Sequence, residues 1–176
     1  MGILYDIFNK ERVSSSQINT YVKSVWSLWD RYQKLSHLKN AKLLRVELSR
    51  KDNDTLVDLE YRFKKHKYTL SVNYTYSRGM CSCVVLDSGG FVKKGSDSYN
   101  NVLKGYMYNV VRVCESISIL VSKILLVYSK DSSTVDIYLT RPSGVKLYTW
   151  TIFIKGNFES TDYKVTTHKV DKLPEL

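Results

Sequence analysis

The sequence predicts an α+β domain in which long helices alternate with groups of antiparallel strands. Apolar residues recur every three or four positions over 18–38 and again over 102–124, as in helices that bury one face. Between these stretches, and again after residue 134, apolar and polar residues alternate, as in strands with one buried face. Tyrosine, which favours strands, occurs 14 times. We therefore expect a single domain over 1–176 with an antiparallel sheet.

The first predicted element is an amphipathic helix that follows a short apolar segment. Ser14 and Gln17 fit a capping box, which satisfies free amides at a helix start. Residues 1–13 precede this helix and are hard to house in the same core, so we interpret them as a flexible or interaction arm. A neighbouring copy or a membrane interface would suit its apolar residues, which are Ile3, Leu4, Ile7 and Phe8.

Four strands are predicted next, connected as an antiparallel meander. The alternating stretches cover 44–48, 57–63, 68–76 and 80–86, with turns at 51–54, 64–67 and 77–79. A loop rich in glycine and lysine, 87–96, leads to a second long helix that starts at Asp97 or Ser98. Residues 124–129 fit either the end of this helix or a strand. Two to four further strands are expected, from 134–140, 145–154 and 163–170, before a frayed tail at 172–176.

The chain is strongly basic, with 27 Lys+Arg against 17 Asp+Glu and a formal net charge of +10. A folded domain with this surplus attracts polyanions and anionic surfaces. Because hairpin turns at one end of a meander can lie close together, we expect several cations to form one anion-binding surface. Its predicted members are Lys39, Lys42, Arg45, Arg62, Lys64, Lys65, Lys67, Lys93 and Lys94. The alternative is that each basic cluster is a solvated turn that serves solubility alone.

No residue pattern points to catalysis, a metal or a cofactor. The chain has three cysteines, Cys81, Cys83 and Cys114, which are too few for a disulfide framework. The single residue between Cys81 and Cys83 is a closer spacing than a typical zinc site has. The histidines lie outside any nucleophile motif: His37, His66 and His168. The glycine-rich loop also lacks the spacing of a P-loop. We expect no enzymatic activity, and a cysteine-dependent enzyme is the least favoured alternative.

These observations favour a non-enzymatic basic scaffold that self-associates and binds nucleic acid or ribonucleoprotein, with anionic membrane as a further candidate partner. In size, basicity and non-catalytic α+β plan the chain resembles small viral matrix proteins, although no motif carries the resemblance. That resemblance implies a virion protein that links membrane to ribonucleoprotein. A virus- or phage-coded inhibitor of a host defence factor is the alternative. Without a secretory signal or a membrane-spanning stretch in the sequence, an intracellular, cytoplasmic location is expected.

Overall fold

The computed structural model describes residues 15–92, 97–117, 123–130, 134–140, 147–153 and 165–170. Its helices are α1, Ser15–Ser36, and α2, Asp97–Ile117. Its strands are β1 Lys42–Lys51, β2 Asp54–Phe63, β3 His66–Ser77, β4 Met80–Asp87, β5 Lys123–Tyr128, β6 Thr134–Thr140, β7 Leu147–Phe153 and β8 Val165–Val170. The predicted α+β class and order of elements are confirmed.

The strands form one antiparallel sheet in the order β4-β3-β2-β1-β5-β6-β7-β8. Two meanders, β1–β4 and β5–β8, meet where β1 pairs with β5, with Leu48 opposite Ile124. This pairing assigns the ambiguous residues 124–128 to a strand. The first strand in the chain therefore lies inside the sheet, and β4 lies at an edge.

The helices bury their apolar stripes against one face of this sheet. Trp29 of α1 and Met107 of α2 are fully buried in the same core cluster as Val46, Leu59 and Val72 of the strands. Burying a large apolar side chain stabilises a fold by about 1.5–3 kcal/mol, so these stripes hold the two layers together. No helix in the described part of the chain is long and apolar enough to cross a membrane.

Two polar contacts tie the end of α2 to neighbouring elements. The Nε2 of Gln17 donates to the carbonyl oxygen of Ser116 at 2.7 Å, which joins α1 to α2. Arg50 of β1 donates to Glu115 at 3.2 Å. Gln17 thus serves a helix–helix contact, while the predicted capping residue Ser14 lies outside the described residues.

Candidate nucleic-acid interface

Six of the nine predicted cationic residues gather at one end of the sheet. The start of β1, the end of β2 and the start of β3 lie side by side, so the α1–β1 connection and the β2–β3 turn share that end. Lys42 is half-buried and the others are exposed. We define the basic end by its members Lys39, Lys42, Arg62, Lys64, Lys65 and Lys67.

Three of these cations lie directly opposite one another on adjacent strands. Lys42 faces Arg62, and Arg62 faces Lys67. Adjacent strands are about 4.8 Å apart, so the row spans about 10 Å. Like charges in direct cross-strand positions destabilise a sheet. The Nζ of Lys67 lies 3.9 Å from Oε1 of Glu60, but an exposed pair of this kind contributes little. A bound anion would relieve the remaining repulsion.

The β2–β3 turn adds two lysines in an unfavourable backbone conformation. Phe63 pairs with His66, which leaves a two-residue turn with φ 49° at Lys64 and 71° at Lys65. Positive φ at both positions is the requirement of a type I′ turn, for which Asn-Gly is preferred. An L-residue with a side chain costs roughly 1–2 kcal/mol in this region. The turn is also shorter than predicted, because residues 66 and 67 already belong to β3.

Aromatic rings support the basic end from the helix side of the sheet. Phe91 lies edge-on to Phe63, with centroids 5.6 Å apart, and edge-on to Tyr68, at 5.4 Å. The Nζ of Lys64 lies 5.2 Å from the Phe63 centroid, in range for a cation–π contact. The three rings are half-buried and pack against the core.

The opposite face of the first meander offers charge rather than rings. The core-facing positions of β1–β4 alternate with outward positions, and none of those outward positions carries an aromatic residue. Sheet-based RNA binders stack bases on outward aromatic rings. The basic end of this face can therefore contact phosphates, but the face has no platform on which bases could stack.

Asp87 holds the start of the glycine-rich loop. Its Oδ2 accepts hydrogen bonds from the hydroxyls of Tyr32, on α1, and Tyr61, on β2, the latter at 2.6 Å. Its Oδ1 accepts from the backbone amide of Gly89 at 2.8 Å. Burial, and then the hydrogen bond to Asp87, raises the pKa of both tyrosines, so they remain neutral donors at physiological pH. The sequence does not predict this network, because its members are far apart in the chain and Asp87 stands out only as the first residue of the glycine-rich loop.

The loop after Asp87 begins at the basic end, because Asp87 pairs with Leu70 near the start of β3. It packs closely there. A Cβ added to Gly89 would lie 2.7 Å from Cδ2 of Phe91 and 3.0 Å from Cδ1 of Tyr68. These distances are too short for contacts between carbon atoms, so glycine, which has no Cβ, fits at this position. Several predicted residues lie outside the described residues: Lys93 and Lys94 of this loop, and Ile3, Leu4, Ile7 and Phe8 of the arm.

Arg45 is placed beside the basic end but in a different electrostatic setting. It lies opposite Glu60 of β2 and opposite Val127 of β5. A carboxylate directly across the strands offsets its charge. We therefore leave Arg45 out of the basic end.

Lys51 lies at the other end of β1. It belongs to the β1–β2 hairpin and is separated from the basic end by the length of the strand.

The cysteines of the first meander lie far from the histidine at the start of β3. Cys81 pairs with Tyr76, ten residues along β3 from His66, a separation of about 34 Å in an extended strand. A nucleophile and its base need hydrogen-bond contact, which this distance prevents. Burial raises the pKa of Cys83 and Cys114 to about 11, which disfavours their thiolates. In the described part of the chain, no group of three His, Cys, Asp or Glu could hold a metal ion.

The thiols should differ sharply in reactivity. At about pH 8 only about one in a thousand thiols with a pKa near 11 is ionised, so Cys83 and Cys114 should react with a disulfide reagent only on unfolding. Half-buried Cys81 should react first. Labelling with the disulfide reagent, followed by mass spectrometry, measures the order in which the three thiols react. The Cys81→Ser variant should lack the fast phase of labelling. Rapid labelling of Cys114 in the folded protein would contradict its burial.

Comparisons with known proteins add little to this geometry. No protein-family model and no curated protein matches the chain. Among solved structures, the chain is similar to a putative lipoprotein from Clostridium difficile 630, with 14% identity and a TM-score of 0.36 over 79% of this chain and 89% of that one. A similarity at this level carries no argument about fold or function.

Proposed function

We propose that this protein is a non-enzymatic, self-associating scaffold that binds nucleic acid or ribonucleoprotein through phosphate contacts at its basic end. The row of Lys42, Arg62 and Lys67 on adjacent strands carries this proposal. Repulsion within the row is relieved when phosphates lie between the cations. The lysines of the adjacent turn extend the same positive surface beyond the sheet.

The contacts should be independent of nucleotide sequence. Phosphates position a nucleic acid, whereas base edges or stacked bases are needed to specify a sequence. The outward face of the first meander has no aromatic residues, so charge dominates. Up to six phosphate contacts on a single strand give a log–log salt slope of about −4. Binding should therefore fall steeply as salt rises and should change little between sequences.

A salt titration with matched single variants tests the proposal. Fluorescence anisotropy of a labelled single-stranded RNA of mixed sequence would be compared for wild type, Lys67→Gln and Lys51→Gln. Losing one phosphate contact should flatten the slope by about 0.7 and weaken binding about 5-fold at about 0.1 M salt. Lys51 is exposed like Lys67 but lies at the opposite end of the sheet, so Lys51→Gln should bind like wild type.

Three results would overturn the proposal. The first is an absence of salt-sensitive binding to RNA, and the second is an equal effect of the two substitutions. The third is a pulldown that yields one stoichiometric protein partner without affinity for free nucleic acid, which favours the inhibitor alternative. Vesicles of anionic lipid, tested in parallel, show whether the same cations also engage a membrane surface.

A further inference from the structure

We propose that a cleft between α1 and α2 binds a mononucleotide, with the phosphate at Arg31 and the flat base against aromatic walls. The cleft has a volume of about 410 Å³, and small-molecule sites usually have about 300–1,000 Å³. We call it the α1–α2 cleft. In the described part of the chain it is lined by Trp26, Ser27, Asp30, Arg31, Lys34 and Tyr106.

The α1–α2 cleft lies on the helix layer, on the side away from the core. Its α1 residues recur at i, i+1, i+4, i+5 and i+8, which is the spacing of one helix face. The opposite face of α1 carries the fully buried residues Val25, Trp29 and Tyr32. Because α1 and α2 run antiparallel, Tyr106 of α2 reaches the middle of α1. Packed helices often form small-molecule sites in such positions.

Arg31 is the cation that calls for an anion in this cleft. It is half-buried, and its buried Nε–H meets no acceptor in the described part of the chain. A buried donor without an acceptor destabilises a fold, and a charged donor does so more strongly. Negative charge bound in the cleft would offset this cost. Guanidinium groups bind phosphate in particular, because their planar array of N–H groups matches its oxygens.

Further donors favour a phosphate over a carboxylate. Ser27 and Tyr106 carry hydroxyls, and Lys34 carries an ammonium group. A phosphate offers three terminal oxygens and a charge of about −1.5 to −2, so it satisfies more donors than a carboxylate does. The acid among the lining residues, Asp30, is already paired with Lys34, since its Oδ2 lies 2.9 Å from Nζ. Arg31 therefore leaves the cleft with a net positive charge.

The aromatic residues of the cleft suit a flat ring attached to that phosphate. Trp26 and Tyr106 are both half-buried and both line the cleft. The Trp26 ring also packs against Tyr128 of β5, with centroids 6.1 Å apart, which holds the indole in place. Aromatic side chains bind bases of any type by stacking. The cleft volume exceeds that of an inorganic phosphate, so a nucleotide combines the two chemistries that the walls offer.

Calorimetric titration of the full-length protein with adenosine 5′-monophosphate tests this inference, at about 0.15 M salt, where exposed charges are screened. Wild type should bind with a dissociation constant below about 1 mM. Adenosine, which lacks the phosphate, should bind at least about 10-fold more weakly, and Arg31→Gln should weaken nucleotide binding by a similar factor. Arg112→Gln is the control, because Arg112 is exposed on α2 and does not line the cleft.

Thermal melts by circular dichroism separate lost binding from misfolding. Without nucleotide Arg31→Gln should melt like wild type, and the nucleotide should raise the melting temperature of wild type alone. Ser27→Ala is a second variant at an exposed position, and it should weaken binding about 5-fold. Wild type that does not bind at about 1 mM nucleotide, or adenosine that binds equally well, overturns the inference. So do equal losses in Arg31→Gln and Arg112→Gln.

The α1–α2 cleft and the basic end are separate surfaces, so this inference and the proposed function can fail independently. Arg31→Gln should bind labelled RNA like wild type, and Lys67→Gln should bind the mononucleotide like wild type. Nucleotide affinity that falls with Lys67→Gln but not with Arg31→Gln would place the nucleotide at the basic end and overturn the inference.

Discussion

Replacing Asp87 with alanine is expected to lower the free energy of unfolding by about 3–4 kcal/mol. The change leaves the buried hydroxyls of Tyr32 and Tyr61 without their acceptor, and a buried donor without a partner costs about 1–3 kcal/mol. It also frees the amide of Gly89, which fixes the start of the loop. Urea denaturation followed by fluorescence measures the loss.

A second variant shows whether this loss comes from the hydrogen bonds. In a Tyr32→Phe/Tyr61→Phe background the donors are absent, so the further step Asp87→Ala should cost much less than in wild type. Asp87→Asn keeps an acceptor oxygen and should cost less than alanine. An equal penalty for Asp87→Ala in both backgrounds would show that the hydroxyl network contributes nothing.

Replacing Lys64 with asparagine and Lys65 with glycine is expected to raise stability and reduce RNA binding at the same time. Asn-Gly fits the positive φ of both turn positions, so we expect a gain of about 1 kcal/mol. Two lost phosphate contacts change the salt slope by about 1.4, which weakens binding about 25-fold at about 0.1 M salt. Denaturant melts and RNA anisotropy measure the two effects.

The hairpin at the other end of the meander supplies the control. Its two-residue turn, Arg78 and Gly79, also has positive φ at both positions, 52° and 76°. Arg78→Asn removes a cation from the same kind of turn and should stabilise slightly without changing RNA affinity. If the Lys64/Lys65 variant bound RNA as tightly as wild type, the turn would have no part in the interface.

Opposite effects on stability and binding would explain why strained lysines occupy the β2–β3 turn. Residues held in rare backbone conformations cluster at functional sites, where the surrounding structure keeps them in place. Stabilising substitutions commonly reduce function at such positions. The cation row on adjacent strands is a second case, since its repulsion lowers stability in the absence of a ligand.

Local patterns were sufficient to predict most of the fold. The helical period of 18–38 and the strict alternation of 68–76 indicate which face of each element is buried. An element that buries one face carries its apolar residues at the spacing of that face. The secondary structure of residues 124–128 could not be predicted from such spacing, because the consecutive residues Ile124, Leu125 and Leu126 are all fully buried. A strand interior to a sheet can lack alternation, so only its pairing with β1 identified it.

The candidate site, like the fold, was predicted only in part from the sequence. The composition determined that the protein is basic, and the predicted turns indicated where most of the cations of the basic end lie. Spacing alone did not decide that Lys42, Arg62 and Lys67 form a row, that Arg45 is opposed by Glu60, or that Tyr32 and Tyr61 meet at Asp87. Those neighbours depend on strand register and helix docking, which bring together residues up to 55 positions apart. A sequence records the preferences of each segment, whereas contacts between segments exist only after the chain has folded.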